Sequence, residues 1–113
     1  MAEKQYSPYV SQAIHFIHLN YQRDISIPEI AEAVKVSEGH LRRCFKQELG
    51  VRIVDYLTEY RLERAKELMK KESGALGEIW QKTGFASAQY FSYVFKKKEG
   101  ILPREYMRKL RGK

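Results

Sequence analysis

One arrangement of residues occurs twice in this chain, about 50 positions apart. Each copy joins a short helical pattern to a second one across a break, and a glycine follows the second pattern. The repeated positions are Ile27–Ala31, Ser37, Leu41, Phe45–Lys46 and Gly50 in the first copy, and Leu76–Trp80, Ser87, Phe91, Phe95–Lys96 and Gly100 in the second. Two helices joined by a short turn are typical of a helix-turn-helix, whose second helix can enter the major groove of DNA. The duplication therefore predicts two such units in a chain of 113 residues.

The spacing of the apolar residues predicts an all-α fold. Apolar residues recur at intervals of three and four, and no segment alternates with the period of two that is typical of a strand. We predict seven helices, at about 8–22, 27–34, 38–49, 53–71, 76–83 and 88–99, with a last short one from Pro103. The predicted organisation is 1–52 for an N-terminal helix and the first helix-turn-helix subdomain, 53–72 for a linker helix, and 73–113 for the second helix-turn-helix subdomain.

Residues that cap helices occur where these segments begin and end. Ser26 and Glu29 have the spacing of a capping box, in which each side chain satisfies a backbone donor near the other. Ser37 and Ser87 each precede the second helix of a unit, and Gly50 suits the left-handed position that ends a helix. These signals predict where both second helices begin.

The net charge of +7 lies entirely in the second half of the chain. Residues 1–56 hold equal numbers of basic and acidic residues, whereas residues 57–113 hold 14 basic and 7 acidic ones. A basic half indicates a polyanionic partner, either nucleic acid or an anionic membrane surface. The single cysteine, Cys44, excludes an intrachain disulfide, and no apolar run reaches 18 residues. We therefore expect a cytoplasmic protein.

The second helix of the first unit carries residues that we expect to read bases. In a helix-turn-helix, the N-terminal half of this helix faces the base edges. The outward residues here are Gly39, Arg42, Arg43 and Lys46. An arginine can donate two hydrogen bonds to O6 and N7 of guanine, and a glycine lets the helix approach the groove floor. We predict that Lys46 and the N-cap residue Ser37 hold phosphates.

The second helix of the second unit offers a different set, without arginine. Its outward residues near the N-terminus are Ala88, Gln89, Ser92 and Tyr93. Glutamine can pair with N6 and N7 of adenine, alanine can contact a thymine methyl group, and serine can reach a base or a phosphate. We predict that the first unit supplies most of the base specificity, while the second relies on phosphate contacts from Ser87, Lys96 and Lys97.

The double repeat, and above all the segment GFASAQYFSYVFKKKEGILPREYMR, resembles the C-terminal DNA-binding domain of the AraC/XylS family of bacterial transcription regulators. The resemblance extends from about Tyr9 to Arg108. It implies two helix-turn-helix units joined by a long helix, with their recognition helices in adjacent major grooves on one face of double-stranded DNA. The positions found at the family's spacing are Gly84-Phe85, Tyr90-Phe91, Phe95-Lys96, Gly100, Pro103 and Tyr106.

The resemblance also assigns base-reading positions. In this sequence they are Gly39, Arg42 and Arg43 in the first unit, and Ala88, Gln89 and Tyr93 in the second. Several residues depart from the family pattern. Gly39 and Ala88 are small where larger readers are frequent, and Tyr93 stands where arginine is frequent. Trp80 replaces a small alanine, which implies local repacking.

The predicted linker helix suits this mode of binding. At 1.5 Å per residue it would be roughly 27–28 Å long, and adjacent major-groove faces lie about 34–36 Å apart. We therefore expect a monomer to span about two turns of an asymmetric site.

Activation through contact with RNA polymerase is implied by the resemblance alone. The segment Ser7–Asp24 looks like those that follow a receiver domain, which favours an excised C-terminal domain.

Two other classes of protein fit the sequence less well. His40 and Cys44, four residues apart on one helix, permit a thiolate–imidazole pair or two metal ligands. Cys44 lies on the apolar face of its helix, however, and the chain has only three histidines, one cysteine and no glycine-rich phosphate loop. We therefore expect no enzymatic activity and no cofactor. A basic amphipathic C-terminal helix permits docking on a protein or an anionic membrane, but docking leaves the duplication unexplained.

Arg61 lies in the buried stripe of the predicted linker helix. Because a buried charge must be paired, we expect a structural ion pair there in preference to a phosphate contact.

Overall fold

The computed structural model describes residues 5–71 and 76–112, and within these ranges it contains seven α-helices and no strand. The helices are α1 (Pro8–Asn20), α2 (Ile27–Val34), α3 (Glu38–Leu49), α4 (Ile53–Lys71), α5 (Leu76–Lys82), α6 (Ala88–Glu99) and α7 (Pro103–Arg111). The predicted all-α fold is confirmed; α1 ends two residues earlier than predicted and α5 one residue earlier. The predicted break at 72–75 lies outside the described residues.

The chain divides into two compact units. The first contains α1, α2, α3 and the start of α4 as far as Glu59, and the second contains the segment Gln22–Asp24 and the chain from Tyr60 onwards. The division falls inside α4, so this one helix contributes residues to the core of each unit. The predicted three-part organisation, with residues 53–72 as a separate linker, stays a prediction.

The core of the first unit comes from one face of each of its helices. Phe45 of α3 is fully buried, and the ring of Tyr56 lies edge-on against it at 5.4 Å between centroids. Cys44 is half-buried. Burying one large apolar side chain contributes about 1.5–3 kcal/mol, so this cluster holds α3 against its neighbours. Its buried members are Val10, Ala13, Ile17, Ile25, Ile30, Ala31, Val34, Leu41, Phe45, Ile53 and Leu57.

The core of the second unit is built around aromatic rings. Phe91 and Phe95, one turn apart on α6, have centroids 5.7 Å apart, and Phe85 lies 5.0 Å from Phe91. Trp80 is partly buried against this cluster. These rings anchor α6 through its inner face and leave its outer face in solvent. The buried members are Leu62, Ala65, Met69, Ile79, Phe85, Phe91, Phe95 and Met107.

The turns that precede α3 and α6 use the same backbone hydrogen bond. The N–H of Val36 donates to the carbonyl of Ala31 (3.1 Å), and the N–H of Phe85 donates to the carbonyl of Trp80 (3.0 Å). This bond belongs to the Schellman motif, which ends a helix. In the first unit the donor of this bond, Val36, directly precedes the capping residue Ser37. In the second unit Ala86 stands between the donor Phe85 and the residue that caps α6, so the second turn is one residue longer.

Candidate nucleic-acid interface

Serine caps fix the start of both second helices. The Ser37 Oγ accepts a hydrogen bond from the N–H of His40 (3.1 Å), and the Ser87 Oγ accepts one from the N–H of Tyr90 (3.0 Å). Both predicted caps are therefore present. Each hydroxyl group uses an acceptor site in its cap and keeps its own proton, so it can still donate to a phosphate oxygen.

The outer face of α3 presents the predicted base-reading residues to solvent. Gly39, Arg42, Arg43 and Lys46 are all exposed. A Cβ atom at Gly39 would meet only the Arg43 Nη1 within 4 Å, at 3.7 Å. The surface beside Gly39 is therefore open, and a guanidinium group borders it. Arg42, Arg43 and Lys46 also line a shallow cleft together with Gln47, so the structure brings these cationic side chains together.

A carboxylate that we did not predict as part of the site holds Arg42. The Nε and Nη2 atoms of Arg42 donate to one oxygen of Glu38, at 3.0 and 2.7 Å. The sequence signal was present, because an acid four residues before a base is the favourable orientation for a helical pair. One edge of the guanidinium is occupied in this way. Its outer end keeps the remaining N–H groups, which is enough for a bidentate contact to guanine.

The outer face of α6 is less cationic in its N-terminal half. Ala88, Gln89 and Tyr93 are exposed and Ser92 is half-buried. The Lys97 Nζ lies 5.7 Å from the centroid of the Tyr93 ring, within the range of a cation–π contact.

Counting from the two capping serines aligns the recognition helices at an offset of 50 residues. Gly39 then corresponds to Gln89, and Glu38 corresponds to Ala88. The arginines at 42 and 43 correspond to Ser92 and Tyr93, whereas Lys46 and Lys96 are matched. Lys96 and Lys97 are both exposed. The two helices therefore keep one cation at the same position and differ in the residues that we predict to face the bases.

Arg61 lies in the second unit and is half-buried. Its Nη2 donates to the backbone carbonyl of Arg23 at 2.8 Å. Burial lowers the pKa of Arg61, while the negative charge of Asp24 acts in the opposite direction. The guanidinium of Arg61 therefore makes internal contacts. The sequence predicted an ion pair for this group, and the structure shows a backbone carbonyl among its partners.

His40 and Cys44 lie side by side on α3. The Cys44 Sγ is 3.6 Å from the His40 Nε2. In the described parts of the chain, no group of three or more histidine, cysteine, aspartate or glutamate residues is placed to hold a metal ion. Across residues 5–71 and 76–112, no helix is both long and apolar enough to cross a membrane.

Two units, each with a capped and exposed second helix, define a double helix-turn-helix domain of the DNA-binding kind. Residues 30–109 match the family described as "Helix-turn-helix domain", and the chain belongs to this family. Its relatives place it with the AraC-type transcription regulators.

Among solved structures, the C-terminal domain of AraT, a response regulator from Geobacillus stearothermophilus, is similar to this chain with a TM-score of 0.89 and 35% identity, covering 93% of this chain and 88% of that one. An AraC-type regulator from Chromobacterium violaceum has a TM-score of 0.83 and 33% identity, covering 92% and 93%. The DNA-binding domain of AdpA, solved with a target DNA, has a TM-score of 0.86 at 18% identity, covering 95% and 99%, and shows the shared fold.

Curated relatives are longer proteins. The xylose operon regulatory protein of Escherichia coli (strain K12) is 35% identical over 99 residues, which are 88% of this chain and 25% of that protein. The transcriptional regulatory protein HptR of Staphylococcus aureus (strain NCTC 8325 / PS 47) is 35% identical over 98 residues, 87% and 38% respectively. The chain therefore spans less than two fifths of the length of these relatives.

Proposed function

We propose that this domain reads an asymmetric stretch of duplex DNA with α3 and α6 in adjacent major grooves. The observation that carries the proposal is the pair of serine-capped helices with matched exposed lysines, Lys46 and Lys96, at the same distance from their caps. A lysine at the same position of both helices suits contacts with phosphates, because the phosphate backbone is regular. Outer residues that differ between α3 and α6 suit two different base sequences.

The first recognition helix, α3, supplies arginine readout in this proposal. Arg42 and Arg43 donate to O6 and N7 of guanine, and each good bidentate contact contributes about 1–3 kcal/mol of discrimination. Gly39 allows the close approach of the helix. Lys46 and the hydroxyl of Ser37 hold phosphates on either side of the bases.

The second recognition helix, α6, supplies weaker and partly apolar readout. Gln89 pairs with adenine, Ala88 contacts a thymine methyl group, and Ser92 and Tyr93 face the groove beside them. The phosphates are held by Ser87, Lys96 and Lys97.

Further roles follow from the regulators that this chain resembles. We propose that a monomer of the domain suffices for binding, because α4 has 19 residues and a helix of that length is about 28 Å long, close to the separation of adjacent grooves. The bound domain then contacts RNA polymerase as a cytoplasmic activator. A signal-receiving domain elsewhere in a longer protein would control it.

Selection from a random duplex library of about 30 base pairs tests this function, a length that covers two groove segments with flanks. We expect two enriched blocks centred about one helical turn apart, one of them containing guanine. A single block would remove α6 from base reading. No enrichment at low salt would contradict sequence-specific binding by this domain, and affinity for anionic vesicles would then favour a basic interaction module.

A further inference from the structure

An apolar cleft lies along the outer face of α6. It is lined by Tyr93, Leu102, Ser92, and Lys96 and Lys97, whose side chains have long aliphatic stems. We call these five residues the α6 cleft. Tyr93 is 61% exposed and Leu102 is 39% exposed, although both are large apolar residues. Tyr93 on α6 and Leu102 in the segment before α7 are therefore available to a ligand.

The corresponding surface of the first unit has the opposite character. Fifty positions earlier, Tyr93 is replaced by Arg43, and Leu102 by Arg52. The cleft along α3 is lined by two arginines, a lysine and a glutamine. The second unit has therefore exchanged guanidinium groups for a ring and a branched alkyl group, while Lys96 keeps its match in the first unit.

The walls of the α6 cleft are held by separate contacts. The Lys97 Nζ lies over the Tyr93 ring at 5.7 Å. Leu102 precedes α7, where its N–H donates to the Glu105 Oε1 at 3.0 Å and the next residue, Pro103, is buried. Leu102 is therefore held in place before any ligand binds, which reduces the entropy that this wall loses on binding.

Its chemistry selects one ligand group in the major groove. The apolar substituent on the major-groove edge of the bases is the 5-methyl group of thymine, and phosphates flank every base at a distance that lysine side chains can reach. We propose that the α6 cleft binds thymine 5-methyl groups, so that the second half of the DNA site is read largely through methyl contacts. This inference rests on the proposed function, with α6 in a major groove.

Replacing thymine by deoxyuridine tests the inference, because it removes the methyl group and keeps every hydrogen-bonding atom of the base. The probe is the duplex enriched by selection, with deoxyuridine placed in one block at a time. We expect affinity to fall about fourfold for each methyl group lost in the α6 block, from the transfer free energy of one buried methylene group. Equal affinity for both duplexes would overturn the inference.

Substitutions within the cleft separate its ring from its hydroxyl group. Tyr93→Phe keeps the apolar wall and should retain the preference for thymine over deoxyuridine, whereas Tyr93→Ser should abolish it. Leu102→Ser should also weaken the preference while leaving the protein folded, because serine is favoured at the start of a helix where Glu105 already completes the second half of a capping box. The thermal unfolding midpoint confirms folding.

Leu110→Ser provides the matched control, because Leu110 is 38% exposed on α7 and does not line the cleft. It should leave the thymine preference intact. If Leu102→Ser and Leu110→Ser reduce the preference equally, the cleft is not the methyl site. If Tyr93→Ser and Leu102→Ser change nothing in DNA binding, the inference is overturned. Failure of the proposed function is distinct, because the unmodified chain would then enrich no sequence at all.

Discussion

The pairing of Arg42 with Glu38 decides which edge of an exposed arginine is available on α3. A free arginine finds phosphates on any DNA sequence, because its charge is attracted by every phosphate. In α3, two donors of Arg42 are held by the carboxylate of Glu38, one turn earlier. The acidic group also repels phosphates. We therefore expect Glu38 to favour end-on contact of Arg42 with a base over contact with the DNA backbone.

Glu38→Gln tests this role. We expect affinity for unselected duplex DNA to rise several-fold and the ratio of specific to non-specific affinity to fall, because the released guanidinium can bind phosphates. Titrations against selected and random duplexes at one salt concentration measure the specific and the non-specific affinity, and hence their ratio. Glu32→Gln, which changes the same charge at an exposed position of α2, is the control. Identical effects of the two substitutions would reduce the role of Glu38 to net charge.

The two recognition helices should contribute unequally to specificity. Arg42→Ala removes a potential bidentate contact to guanine and should cost about 1–3 kcal/mol of discrimination. Gln89→Ala should cost less, because we assign most base specificity to the first unit. Competition binding between the selected duplex and single-base variants gives both values. Equal losses would contradict this ranking of the two helices.

At the scale of the elements, the turn of the first unit contains a strained residue. Lys35 has φ of 65° at the end of α2, and the corresponding residue of the second unit is Gly84, with φ of 89°. Residues with a Cβ adopt this left-handed conformation at a cost of about 1–2 kcal/mol, which glycine avoids. The same turn is therefore unstrained in one unit and strained in the other.

Lys35→Gly should raise the free energy of unfolding by about 0.5–1 kcal/mol, because the relief of strain exceeds the greater entropy of glycine in the unfolded chain. Urea titration followed by circular dichroism measures this change. Lys35→Ala removes the same charge without relieving the strain, and it should give no comparable gain. A gain of equal size with alanine would assign the effect to charge or to side-chain entropy.

An ion pair connects α4 to α6 inside the second unit. The Lys66 Nζ lies 3.0 Å from the Glu99 Oε2, and both side chains are about 20% exposed. The hydrogen bond to Glu99 is the main cause that raises the pKa of Lys66, and the nearby charge of Glu63 adds to it. A lysine with a raised pKa stabilises the fold fully below its unfolded pKa, near 10.4, and loses this contribution as the pH rises through its folded pKa.

Lys66→Met should therefore lower the free energy of unfolding by about 0.5–1 kcal/mol at pH 8. The difference from the unsubstituted chain should shrink as the pH rises above about 10.4. Urea titrations of both proteins at pH 8 and pH 11 test this expectation. A difference that is the same at both pH values would show that the lysine stem, through its packing, carries the effect.

The binding of the whole domain to DNA should depend strongly on salt, because cations on the DNA are released when lysines replace them. Lys96→Ala should reduce the slope of log affinity against log salt by about one. The slope is measured between about 50 and 200 mM salt. Lys109→Ala makes the same charge change on α7, outside the proposed interface. If it reduced the slope equally, long-range charge would explain the effect.

Much of the fold could be predicted because its signals are local. The helical period of the apolar residues and the capping residues depend on neighbours within one turn. Among the described residues, every helix end that they predicted lies within two residues of the observed one. The serine caps at Ser37 and Ser87 were confirmed for the same reason. The family was identified by the resemblance of the repeat, and above all of residues 84–108, to the AraC/XylS regulators, and the match over residues 30–109 and the relatives confirmed it.

Sequence alone thus determined the helices, their caps and the duplication, while tertiary structure decided the chemistry of the surfaces. Leu102 belongs to the segment before α7, and only the packing of that segment brings it beside Tyr93 to form the α6 cleft. Arg61 likewise meets the carbonyl of Arg23, 38 positions away in the chain. Local rules fix backbone hydrogen bonds within a turn, whereas contacts between distant residues depend on how complete helices pack, which no single turn encodes.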